Sequence, residues 1–276
     1  MTQYPFSQTK RIEFSGGYNR YAYGNEGFSY FYTPDGLFLG QQRSTFPNPP
    51  SLAFGQASVA LVGDWSYFGF TSPVAGGRYR FEVSPSVGQI NFTTLLGDYR
   101  RYYFFQPVTF AWRGLYYGRF GKDAEDSLRL SPLYLGQETL IRGYDANNFS
   151  PNECTPSTSN VNSCPEFDRL LGSRIAVMNF EMRFPLFGVR EFGLINFPYL
   201  PTDIAPFFDA GVAWKKGQPV DFSFNTDSPK REPVFSAGIS ARMNIMGYLV
   251  FEAYYAYPFQ RPEKGGHFGF VLSPGW

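Results

Sequence analysis

Few residues in this chain have the type and spacing that chemistry requires. There is one histidine, His267. It has no cysteine or carboxylate at ligand spacing, so no metal centre is expected there. No Gly-x-Ser-x-Gly elbow, His-Glu-x-x-His pair or phosphate-cradling glycine loop occurs. The acidic run Asp123-Ala-Glu125-Asp126 offers the hard oxygens a divalent cation takes, but loop carboxylates more often face water, and solvation is the expectation. Arg100 and Arg101 lie among Tyr99, Tyr102 and Tyr103, a mixture that can hold nucleic acid. A formal net charge of +1 gives that no electrostatic support, and a belt of arginine and aromatics at a membrane interface accounts for it better. Cys154 and Cys164, the only two cysteines, share a hydrophilic stretch and are expected to pair as a loop disulfide outside the cytoplasm. No catalytic residue, cofactor or metal is assigned, and an enzyme is not expected.

The chemistry of the chain is therefore sought in its elements. Of 276 residues, 20% are aromatic, with 31 Phe, 20 Tyr and 4 Trp beside 29 Gly and 22 Pro. Charged residues are 17%, below the roughly 25% of soluble globular proteins. Disorder goes with few aromatics and is excluded. No apolar run approaches the ~18 residues of a membrane helix. Gly, Pro, aromatic and β-branched residues crowd every stretch, which disfavours helices in general.

A membrane strand needs ~9–11 residues with apolar side chains toward lipid alternating with polar ones toward a lumen. Several stretches alternate in this way. Tyr79, Phe81, Val83 and Val87 oppose Arg78, Arg80, Glu82, Ser84 and Ser86. Phe110, Trp112, Tyr116 and Phe120 oppose Thr109, Arg113 and Arg119. Met178, Phe180, Met182 and Phe184 oppose Asn179, Glu181 and Arg183. Phe235, Ile239, Ala241 and Met243 oppose Ser236, Ser240, Arg242 and Asn244, and Leu249, Phe251, Tyr255 and Tyr257 oppose Glu252 and Tyr254. A soluble sandwich also alternates. It does not explain an aromatic-dense apolar face, which the interfacial girdles of a membrane barrel do.

The expected fold is all-β, an antiparallel transmembrane β-barrel with about twelve strands in hairpin order. They run near Thr9 to Tyr21, Gly27 to Tyr32, Leu37 to Arg43, Gln56 to Phe70, Arg78 to Phe92, Asp98 to Gln106, Val108 to Gly121, Gly172 to Phe187, Ile204 to Trp214, Pro233 to Ile245, Gly247 to Phe259 and Gly266 to Trp276. Tight turns at Thr33 to Gly36, Ser72 to Gly77 and Asn244 to Gly247 suit one barrel end. The polar connections Ser44 to Gly55, Lys122 to Leu171 and Lys215 to Glu232 suit the other. Short periplasmic turns and long external loops are the outer-membrane pattern.

The connection from Lys122 to Leu171 is far longer than a hairpin needs, and loops of that length are commonly functional. Within it, Ile141-Arg142-Gly143-Tyr144 resembles the Arg-Gly-Tyr/Phe signature of the BamA/TamA superfamily, also called the bacterial surface antigen family. Asn179-Phe-Glu181-Met-Arg183-Phe-Pro185, then Phe207-Phe-Asp209-Ala-Gly211, then the closing Phe268-Gly-Phe270-Val-Leu-Ser-Pro-Gly-Trp276 resemble the strands that follow it, in the right order. The resemblance spans roughly Thr9 to Trp276. It implies a loop folded back into the barrel, with Arg142 meeting Glu181 and Asp209. The parity of the strands agrees, since both carboxylates fall on lumen faces. It also implies that Phe268, Phe270 and Trp276 form a C-terminal signal for barrel insertion.

Family barrels are commonly sixteen-stranded, so the chain is expected to be the C-terminal part of such a barrel. Four N-terminal strands and any upstream soluble domain would be lacking. The N-terminus, Met-Thr-Gln-Tyr-Pro-Phe-Ser, shows no export signal, and an upstream piece of the same polypeptide is the favoured explanation. The implied role is insertion or translocation of polypeptide at the bacterial outer membrane. Membrane lipid and client polypeptides would be the partners, and nucleic acid would not. A passive pore or surface receptor, or a membrane anchor for an upstream propeller or enzymatic domain, are the alternatives.

Overall fold

The computed structural model of the chain describes residues 1–48, 50–146, 149–150, 153–154, 164–191, 193–222, 231–261 and 265–272. Strands dominate it. In chain order they are β1 (Thr2–Ser7), β2 (Lys10–Tyr21), β3 (Glu26–Tyr32), β4 (Phe38–Thr45), β5 (Leu52–Asp64), β6 (Tyr67–Phe68), β7 (Pro73–Gly88), β8 (Phe92–Phe105) and β9 (Val108–Phe120). After the long connection come β10 (Leu133–Tyr134), a one-turn helix α1 (Pro165–Asp168), β11 (Leu171–Gly172), β12 (Arg174–Gly188) and β13 (Ile195–Asn196). The chain continues through β14 (Thr202–Trp214), β15 (Val234–Ile245), β16 (Leu249–Pro258) and β17 (His267–Leu272).

Thirteen of these strands form one sheet, whose main path is β1-β2-β5-β7-β8-β9-β12-β14-β15-β16-β17. Every ladder along that path is antiparallel, so each strand needs only a local hairpin or loop to reach its neighbour. No helix among the described residues is long and apolar enough to cross a membrane.

The faces follow the alternation in the sequence. On β12, Asn179 and Glu181 are 2% and 0% exposed, whereas their neighbours Met178 and Phe180 are 62% and 43% exposed. The same inversion holds on β7, β15, β16 and β17, where Phe81, Ile239, Tyr255, Phe268 and Phe270 look outward. The sheet is curled. The segment 65–72 between β5 and β7 reaches back to β14 and β15, where the Thr71 and Ser72 hydroxyls donate to Asp203 and the Asn244 amide donates to the Phe70 carbonyl.

Three expectations require correction. The segments Gly27 to Tyr32 and Leu37 to Arg43 are strands, but they pair only with each other as the β3-β4 hairpin, outside the large sheet. β2 is paired along its whole length with β5, from Lys10 opposite Gly63 to Tyr21 opposite Leu52, which places β5 in the sheet position next to β2 that hairpin order would give to β3. An additional strand, β1, pairs with the other edge of β2 over Lys10–Phe14. Its Pro5 sits in an edge strand, where a missing N–H is readily tolerated. Finally, β5 ends at Asp64 rather than near Phe70, and pairing with β7 resumes only as the two-residue β6.

Candidate functional site

Four consecutive strands of the curled sheet build one polar cluster. Asn179 and Glu181 project inward from β12 because they share parity with buried Ile175 and Val177. Asp209 on β14 lies directly opposite Asn179 in the ladder. Arg242 on β15 lies directly opposite Glu252 on β16. Register thus brings three carboxylates onto one patch of the inner wall.

The loop delivers the missing cation. A turn in which the Leu140 and Ile141 N–H groups both bond the Gln137 carbonyl presents Arg142 to this patch, 4% exposed. Its guanidinium grips Asp209 with two parallel bonds, Nε to Oδ2 at 2.8 Å and Nη2 to Oδ1 at 2.9 Å. Nη1 donates to Glu181 at 2.9 Å and to Glu252 at 3.0 Å. The backbone N–H of Arg142 adds a bond to Asp209 at 3.2 Å. Arg242 bridges the same two glutamates, at 2.7 Å to Glu181 and 2.8 Å to Glu252, and Arg183 contacts Glu181 at 2.9 Å. Three guanidiniums face three carboxylates, so the cluster is neutral as a set. Burying one such ion alone would cost several kcal/mol, and only this pairing makes the burial tolerable. The Phe207 ring, 3.4 Å from the Arg142 guanidinium carbon, closes one side with its π face.

The residues around Arg142 explain why the loop can lie there. Gly143 has φ +89°, and a Cβ at that position would stand 3.2 Å from the Ala256 Cβ. Both the left-handed backbone and the close approach to β16 favour glycine. Gly211 on β14 makes room for Ile141, whose Cδ1 would be 2.5 Å from a Cβ there. Tyr144 is buried, its hydroxyl 2.8 Å from Gln260 Oε1 and 3.0 Å from the Phe235 carbonyl. Leu135, Leu140, Ile141 and Leu170 from the loop pack with Ile175, Val177, Ala213 and Val234 from the wall. Arginines clamp the loop backbone as well. Arg113 donates to the Thr139 carbonyl at 2.9 Å, and Arg261 to the Gly143 carbonyl at 2.7 Å. Arg261 is itself paired with loop residue Glu153.

The structure therefore brings Arg142, Glu181 and Asp209 together, with Gly143 and Tyr144 beside them. Glu252, Arg242 and Arg183 complete the cluster and were missed as partners. Their signal was present, because all three fall on the polar side of their strands. Cys154 and Cys164 are joined by a disulfide. Phe268 and Phe270 point outward from β17, while Trp276 lies outside the described residues. His267 is buried and edge-on to Tyr254.

Two minor readings change. Arg100 does not join an interfacial belt; it faces the lumen and pairs with Asp98, while Arg101 points out over Trp65 and Tyr103. Adjacent residues of a strand cannot share a face. The acidic run is not merely solvated either. Asp123 accepts the Asn91 N–H, Asp126 accepts the Leu128 N–H, and Glu125 accepts the Ser173 hydroxyl and Lys216 N–H. Burial alone would raise the Glu125 pKa, but the two bonds, with the nearby charges of Arg174 and Lys215, outweigh it and hold it below the ordinary value.

The arrangement is a lock. It fixes an internal segment of the longest connection to four neighbouring strands and fills that side of the lumen. Comparison with curated proteins finds no match. Comparison with protein families matches residues 65–275 to the Omp85 superfamily domain, a span that holds the locked loop and all its wall partners. That domain is characteristic of bacterial outer-membrane proteins of the polypeptide insertion and translocation class. With well over half of its length inside the match, the chain belongs to the Omp85 superfamily.

Proposed function

We propose that this chain is the membrane barrel of a bacterial outer-membrane protein that inserts or translocates polypeptides, as BamA/TamA-type members do. The observation that carries the reading is the lock itself, a buried six-charge cluster joining an inward-folded loop to β12, β14, β15 and β16. Its role is mechanical and electrostatic. It braces one side of the barrel so that the remaining wall can open toward lipid or accept a passing chain, and no covalent step is required of it. The partners are outer-membrane lipid and unfolded client polypeptide.

The test is reconstitution of the full chain in liposomes, followed by addition of an unfolded outer-membrane barrel client. Wild type should accelerate client insertion over empty liposomes, and Arg142→Ala, still folded by heat-modifiability on gels, should lose most of that gain. Insertion no faster than with empty liposomes, together with steady solute conductance, would identify a passive pore instead.

A further inference from the structure

The stretch of inner wall beside the lock, reached where Arg113 on β9 stands opposite Asn179, carries a different electrostatic pattern. Arg78 on β7 stands directly opposite Arg100 on β8, and Arg100 directly opposite Arg113 on β9. Three guanidiniums therefore sit in one cross-strand row on the lumen face. Like charges placed opposite each other in a ladder are destabilising. A single carboxylate, Asp98, answers them, held by Arg100 at 2.7 Å and by Arg113 at 2.9 Å. Arg78 meets no carboxylate among the described residues. Asp64, its other cross-strand neighbour, is turned to the Ser66 N–H and hydroxyl. Nearby Arg11 and Arg80 are balanced by Glu13 and Glu82, so the unanswered charge is that of the row itself. A cavity of about 240 Å³ opens among Arg11, Asp64, Arg78, Arg80, Asp98 and Arg100.

The lock matches three arginines with three carboxylates, whereas this row leaves positive charge unanswered beside open space. A small oxyanion would resolve both features. Guanidinium groups present paired N–H donors that fit phosphate and carboxylate oxygens, and a cavity of this size admits such a group. We propose that Arg78 and Arg100 form a lumenal binding site for a small soluble oxyanion of the phosphate class. The lumen-facing placement separates this site from the lipid surface, so the source is the aqueous phase rather than a lipid headgroup.

Calorimetric titration of inorganic phosphate into the folded full chain in uncharged detergent micelles tests this, independently of any insertion activity. Wild type should give saturable heat. Arg78→Gln removes a cation from a like-charged row and should remain folded, with affinity lowered about tenfold or more. Arg101→Gln, on the outer face, should bind as wild type does. An anionic phospholipid added to the same micelles should not displace phosphate. No saturable heat in wild type, equal affinity in Arg78→Gln, or displacement by the lipid would overturn the proposal.

Discussion

Arg142 is held by more bonds than any surface arginine could keep, and its worth lies in what its removal leaves behind. Arg142→Ala would leave three carboxylates with two guanidiniums in a buried site, and breaking such a set costs about 3–5 kcal/mol. That loss should fall on loop docking, because the eleven-strand path of the wall does not pass through the loop. Asp209→Asn should act in the same direction. The double variant should cost less than the sum of the two, since it restores charge balance. Hydrogen exchange in residues 133–144, compared with exchange in β12 and β14, measures this; uniform loosening of loop and wall would contradict it. Gly143→Ala should cost about 1–2 kcal/mol from the left-handed backbone alone, with crowding against Ala256 added, and the same exchange readout applies. Arg142, Glu181 and Asp209 were legible through motif and parity together. Arg242 and Glu252 were not assigned, because parity tells which face a residue takes but not the register that sets two such residues opposite each other within reach of the loop.

Strand pairing is the element-scale property that alternation leaves open. The period-two pattern marked Gly27 to Tyr32 and Leu37 to Arg43 as strands, yet nothing in a local pattern says whether β2 pairs with β3 or with β5. The full-length β2-β5 ladder settles it. Excision of residues 26–45, with a short Gly-Ser bridge, should therefore leave the large sheet folded, and heat-modifiability on gels should be unchanged. Loss of the folded band would show that the hairpin supports the wall. β1 escaped notice because Pro5 interrupts a short run that otherwise alternates weakly. At the start of the long connection, Glu125 ties the loop to Ser173 and to the backbone of Lys216. Its folded pKa lies below the ordinary 4.5, so its contribution is fully present above about that pH. It is lost as the pH falls through the lower folded value. Protection of residues 122–131 against exchange, corrected for the intrinsic rate at each pH, should fall over that acid window, and Glu125→Gln should remove most of that change.

At the scale of the whole molecule, the chain is inverted relative to a water-soluble protein. Phe81, Phe180, Phe208, Tyr255, Phe268 and Phe270 look outward, while Glu181, Arg183, Asp209, Arg242 and Glu252 are buried. That inversion was the most legible feature, because a low charged fraction and a high aromatic fraction suit a lipid-facing surface and a polar interior. The inward loop is the part that composition could not reveal; it needed the Arg-Gly-Tyr motif and the wall carboxylates. Its position is also the claim on which the functional reading rests. Gly143→Cys combined with Ala256→Cys, in a background carrying Cys154→Ser and Cys164→Ser, probes it most directly. The two Cβ positions lie 3.2 Å apart, close to the roughly 3.5–4.5 Å of a disulfide. Mild oxidation of the membrane-inserted protein should join the pair, seen as a mobility shift that reductant reverses. Free thiols at both positions after oxidation of a folded barrel, together with wild-type residues 133–144 exchanging amide hydrogens as fast as an open loop, would place the loop outside the lumen and contradict the account.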